Sequence, residues 1–178
     1  LGIGKVMCWG SGNYGQLGNG STNTQISPVE VTGISTAKDV SVGYRHSCAV
    51  LDNGTALCWG LGSSGQLGNG ATSNQNTHVT VSGISNGSLI SSGGSHTCAV
   101  LDNGTAQCWG LNDGGQLGDY SYTNRTTPVQ AGAANNWVSA KYFSQISAGD
   151  VHTCGIDNST SGNLYCWGTG NYGKLGVG

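Results

Sequence analysis

Three stretches of this chain carry the side chains best suited to chemistry. They are His46-Ser47-Cys48 with Cys58, His96-Thr97-Cys98 with Cys108, and His152-Thr153-Cys154 with Cys166. A histidine and a cysteine two residues apart share one face of a strand, so each group could ligate a metal or hold a disulfide beside a structural histidine. A His-x-Cys pair plus a facing cysteine offers only three ligands, whereas structural zinc sites normally close with four. The intervening residues favour the disulfide. Asp52-Asn53-Gly54 is a hairpin signal between two apolar runs, and Gly54 can take the left-handed conformation that a three-residue loop needs. Counting outward from that loop sets Cys48 opposite Cys58, at a separation that a disulfide spans. Cys98 and Cys108 repeat the arithmetic. Cys154 and Cys166 are twelve positions apart rather than ten, and an even insertion keeps both on one face. No metal and no cofactor is expected.

The elements that must position these groups are written into the repetition of the chain. Cys48 to Gly60 returns almost letter for letter as Cys98 to Gly110, and in stretched form from Cys154 to Gly168, while Leu1 to Gly10 aligns on Leu51 to Gly60. After each Cys-Trp-Gly comes a loop ending in Gly-Gln-Leu-Gly or its lysine variant, at Gly15, Gly65, Gly115 and Gly173. None of these opens a helix or carries the P-loop lysine and hydroxyl, so the leucine is read as a plug where backbones approach closely. Short alternating runs follow at Pro28, His78 and Pro128, suited to edge strands that tolerate proline. A further strand centres on Val40, Ile90 and Ile146 and leads back into the hairpin. Four short strands in about fifty residues, with Trp and Gly at fixed offsets, are the cue for an all-β propeller with blades of four antiparallel strands. The repeat units run approximately over residues 1–38 (partial), 39–88, 89–144 and 145–178 (partial), giving about three full blades and partial ones.

The Gly-x-x-His-Ser/Thr segment, Asp-x-Gly turn, Trp-Gly, Gly-Gln-Leu-Gly and following Pro-Val together resemble the regulator of chromosome condensation repeat family, over the whole chain. The resemblance implies a propeller that normally closes with seven blades. The cysteine-bearing pattern is similar to the secreted and cell-surface repeat proteins common in microbes. The surface loops with which the family's nuclear founder binds histones and acts on a small GTPase have no match here.

Charged residues make up 8% of the chain and the net charge is −2, so no electrostatic footprint for nucleic acid is present. No apolar run is long enough for membrane insertion. Paired cysteines indicate an oxidising compartment, so the expected location is extracellular or the cell surface. Cys8 is expected to be unpaired, because its partner by register lies three residues before Leu1; both ends read as cuts through a longer array. Asn-x-Ser/Thr sequons at Asn19, Asn53, Asn86, Asn103, Asn124 and Asn158 are acceptors for N-glycosylation where the machinery exists.

The sequence holds no Ser-His-Asp signature and Glu30 is its sole glutamate, so no enzyme is read from it. Asp52, Asp102 and Asp157 are expected to bond their own turn backbone. Binding is sought where the repeats differ. Tyr120, Tyr122 and Arg125 stand where the first repeat has Gly20, Thr22 and Gln25, and an insertion adds Trp137, Tyr142 and Phe143. Exposed aromatics with an arginine suit a protein hot spot or a sugar platform, while Trp137 and Phe143 also suit an enlarged core. The expected function is a non-enzymatic interaction or adhesion module. The alternatives are a subunit that assembles with copies of itself into a filament or surface layer, and a glycan-binding lectin. The expected partners follow: a protein, copies of itself, or glycans.

Overall fold

The computed structural model describes residues 4–132 and 142–176. Thirteen short strands are arranged in four antiparallel sheets. The first sheet pairs β1 (Met7–Gly10) with β2 (Gln25–Glu30). The second runs in chain order through β3 (Ala37–Val42), β4 (His46–Leu51), β5 (Ala56–Gly60) and β6 (Gln75–Thr80). The third repeats it with β7 (Gly87–Ser92), β8 (His96–Leu101), β9 (Ala106–Gly110) and β10 (Arg125–Gln130). The fourth has three strands among the described residues, β11 (Phe143–Ala148), β12 (His152–Asp157) and β13 (Leu164–Gly168). Two sheets are therefore complete and two partial.

The hairpins form as their turn chemistry dictates. Leu51 N–H reaches Thr55 O at 2.9 Å and Gly54 N–H reaches Leu51 O at 2.8 Å. Gly54 sits at φ 82, where a side-chain-bearing residue is strained. Asn53 and Asn103, not the aspartates before them, take the turn bond, each accepting the N–H two residues on at 3.0 Å. In the enlarged third loop Asp157 does bond its own turn, accepting from Ser159 and Asn163. The register is the one the cysteine spacing demands: Cys48 faces Cys58, Cys98 faces Cys108 and Cys154 faces Cys166. All three pairs are disulfides with Cα atoms 4.1 Å apart.

The first strands of successive sheets, β3, β7 and β11, lie side by side. Side chains of one bond the backbone of the next: Ile90 N–H to Asp39, Ser92 N–H to Ser41 and Ala148 N–H to Ser91. From this hub the sheets fan outward, which is the geometry of propeller blades. Proline falls on β2 and β10, edge strands where a missing N–H breaks no ladder. Each pair of neighbouring sheets encloses its own core. The first holds Val6, Leu17, Val31 and Trp59; the second Val50, Leu67, Ile90 and Trp109; the third Val100, Leu117, Phe143 and Trp167.

Candidate functional site

Two of the histidines that flank the cysteines, His46 and His96, are committed to the joints between sheets. His46 Nε2 lies 2.8 Å from Thr97 Oγ1, and that hydroxyl donates to Gln66 O at 3.0 Å. Because the threonine proton is used on the carbonyl, the histidine must be the donor, so Nε2 carries the hydrogen and Nδ1 is bare. His96, Thr153 and Gln116 repeat the relay one joint later, at 2.9 and 2.8 Å. Nδ1 of His46 and His96 has no hydrogen-bond partner. Burial, and secondarily the neighbouring histidine, lowers His46 to about 3 and His96 to about 4. Both are therefore neutral at neutral pH.

The glutamine of Gly-Gln-Leu-Gly is the residue that sequence reasoning missed. Its carbonyl is the socket for the next sheet: Trp59 Nε1 and the Ser47 hydroxyl both donate to Gln16 O at 2.9 Å. Trp109 and Thr97 do the same to Gln66 O, and Trp167 and Thr153 to Gln116 O. The side-chain amide turns inward and closes its own loop, accepting from Tyr14, Ser64 and Gly114 N–H at 2.8 Å. The following glycine lies against the indole: a Cβ on Gly68 would stand 2.7 Å from Trp109 Nε1. The signal for this role was the repeated spacing between each glutamine and the next repeat's tryptophan, 43 residues in the first two joints and 51 in the third.

The residues that set the third repeat apart separate into distinct places. Tyr120 and Tyr122 are exposed together on the rim. They line a depression of about 350 Å³ with Gly114, Gly115, Gly118 and Trp167. Tyr120 holds φ 59, where the earlier repeats place Gly20 and Gly70 at 81 and 84. The Tyr122 ring rests beside Gly115, whose counterparts Gly15 and Gly65 abut the β6 and β10 backbones.

Arg125 is not a free surface cation: it meets Asp119 at 2.8 Å and is also within reach of Ser121. Burial alone raises the Asp119 carboxyl, but bonds from Ser121, Arg125 and Asn112 outweigh it and hold the group below its usual range. Tyr142 is exposed but sits elsewhere, beside Gly104 at a hairpin tip. Phe143 is a core residue, 5.8 Å from the Trp167 ring. Trp137 lies outside the described residues. Asn53, Asn86, Asn103, Asn124 and Asn158 are exposed and Asn19 partly so; Asn124 caps the Asn112 N–H. Cys8 is a buried free thiol.

The repeat itself identifies the relatives. A model of the regulator of chromosome condensation (RCC1) repeat matches residues 4–50, 53–100 and 103–156. The chain belongs to the RCC1 repeat family. A second model of this repeat matches residues 37–66, 88–116 and 143–174. Human WBSCR16 superposes with a TM-score of 0.83 at 24% identity, over 99% of this chain and 46% of that one. Yeast RCC1 (Prp20), in its complex with Kap60, gives 0.79 at 21% identity, over 98% and 42%. The ectodomain of the Physcomitrella patens receptor kinase CR4 gives 0.52 at 25% identity, over 79% and 31%. The RCC1-repeat chain thus spans less than half the length of these structures.

Proposed function

We propose that this chain is a segment of a secreted or cell-surface propeller that binds another protein through the rim of its third repeat, without catalysing a reaction. One observation carries the reading. Tyr120 and Tyr122 stand exposed over glycine backbone at positions where the fold elsewhere uses small residues, and Tyr120 does so at a left-handed φ. A side chain at such φ costs about 1–2 kcal/mol, so the fold does not ask for it. Rigid aromatics of this kind serve as interface anchors. Kap60 is seen bound to yeast RCC1, so a propeller of this family does hold a protein partner. Three disulfides and the likeness to a receptor ectodomain favour an oxidising, external setting. The exposed turn residues Asn53 and Asn103 are then the acceptors for glycan.

The test is an array of purified extracellular domains probed with the parent chain and with a Tyr120→Gly, Tyr122→Ser variant. Partners captured by the parent and lost with the variant support the reading. An array on which the variant binds as the parent does overturns it. Binding only to a glycan array, or a sedimentation coefficient that climbs with concentration, replaces it by a lectin or by self-assembly.

A further inference from the structure

The outermost strands of the sheets finish their ladders in different ways. The second and third sheets have all four strands, and each is flanked by a packed sheet on both sides. The free edge of β6 is therefore set by the fold of complete repeats. Val81 N–H reaches Ala56 O at 2.9 Å and Val79 pairs with Cys58, so residues 79 and 81 turn their backbone groups inward. His78 and Thr80 turn theirs outward, and these groups find no partner among the described residues. The position of His78 is proline in both flanking sheets, Pro28 on β2 and Pro128 on β10, where no N–H is offered to a visiting strand. Those strands also carry charge: Glu30, paired with Lys5, and Arg125, paired with Asp119. Proline and charge are the usual means of blunting an edge. β6 reads Gln-Asn-Thr-His-Val-Thr, with no proline, lysine, arginine or carboxylate. The His78 ring does not shield the edge, because it lies over the turn at Gly33, where a Cβ would stand 3.2 Å from Nε2.

We propose that the edge of β6 at His78 and Thr80 accepts an extended, uncharged segment of a partner protein as a fifth strand. Affinity comes from main-chain bonds to these two residues, and selectivity from alternate side chains. Thr77 and Thr80 are exposed. Hydroxyl-bearing or β-branched residues beside them make favourable cross-strand pairs, whereas a charge there meets no counter-charge. The site is short, because the turn at Gly20 already stands on the outward side of Asn76. Gly20 N–H bonds the Asn76 carbonyl and the Asn76 amide bonds Gly20 O, both at 2.9 Å. That turn also selects the occupant. A second copy paired antiparallel at β6 would bring its own Gly20 turn against the pairing region, whereas a slender single segment passes. The site is separate from the Tyr120 rim, and its test leaves that rim untouched.

The test uses the intact chain and an acetylated, amidated peptide, Ser-Thr-Val-Thr-Val-Thr-Ser, with an alternately N-methylated copy as control. Millimolar peptide is expected to slow amide exchange at His78 and Thr80 by at least about fivefold, and the N-methylated copy to leave it unchanged. His78→Pro is the decisive variant: the fold carries proline at this position in both flanking sheets, so its melting temperature should match the parent's. It should weaken peptide binding at least about tenfold, a factor equal to about 1.4 kcal/mol. His78→Ala, which keeps the N–H, should bind as the parent does. Absence of protection at both amides overturns the proposal, as does equal binding by His78→Pro or by the N-methylated peptide. Protection that rises with the concentration of the chain alone assigns the edge to a second copy and overturns it too.

Discussion

The joints between sheets and the rim of the third repeat obey different rules. At a joint, a single carbonyl, Gln66 O, receives the Trp109 indole and the Thr97 hydroxyl, and His46 closes the relay behind it. Each group is buried and already paired, so a change strands its partners, and the same residue types recur in successive joints. At the rim, Tyr120 and Tyr122 occupy positions filled elsewhere by glycine and threonine, and the sheets beneath are unaltered. Stability is therefore concentrated where the repeats agree, and the freedom to acquire a partner where they differ.

Breaking the joint should produce the largest effects. Trp109→Ala removes a fully buried indole from the second core and is expected to cost about 3–5 kcal/mol, read from urea midpoints. Thr97→Val keeps the shape but leaves Gln66 O short of a donor and His46 Nε2 without an acceptor; about 2–4 kcal/mol is expected from two uncompensated buried groups. Reduction of the disulfides should cost about 2–4 kcal/mol for each bridge, seen as a lower melting temperature under reductant.

Acid should weaken the joints together. The histidines of folded chains at His46 and His96 titrate near 3 and 4, below the unfolded value of about 6.5. The unfolded state therefore binds more protons between those values. Stability is complete above about pH 6.5 and falls as pH is lowered, by up to about 1.4 kcal/mol per histidine per pH unit. Asp157, which the Ser159 hydroxyl foremost and Asn163 hold at about 2 against the opposing effect of burial, adds its own loss below the ordinary carboxylate range. A melting temperature flat from pH 7 to about 4.5 contradicts neutral buried histidines.

The rim should answer in the opposite sense. Tyr120→Gly relieves the positive φ and is expected to leave stability unchanged or raise it by up to about 1 kcal/mol. Tyr122→Ser should stay within about 0.5 kcal/mol by the same denaturation measurement. A large loss from either substitution would assign the tyrosines to the fold and remove the reason for reading them as an interface.

Much of this architecture was legible in the residues because it is local. Asp52-Asn53-Gly54 forces a hairpin, the hairpin fixes the register, and the register pairs the cysteines; the two extra residues before Cys166 preserve the face. The strand near Val40 and the edge strands with proline follow from alternation and from the missing N–H. The binding set was less legible. Arg125 was grouped with the tyrosines as a binding candidate, and Asp119, six residues earlier, pairs with it within the same loop. Phe143 suited either an aromatic surface or an enlarged core, and it takes the core, facing Trp167 in the third cluster. Type and spacing announce an aromatic or a charge but do not say what will stand opposite.

The sequence by itself determined the blade: its four strands, its turn, its disulfide and its repetition, all set by interactions between residues near one another in the chain. Only the tertiary structure decided how blades lock. The Gln66 carbonyl meets Trp109 from 43 residues away, and His46 meets Thr97 from 51. Those outcomes depend on which sheet packs against which, and packing between distant segments has no signature in the local pattern of either.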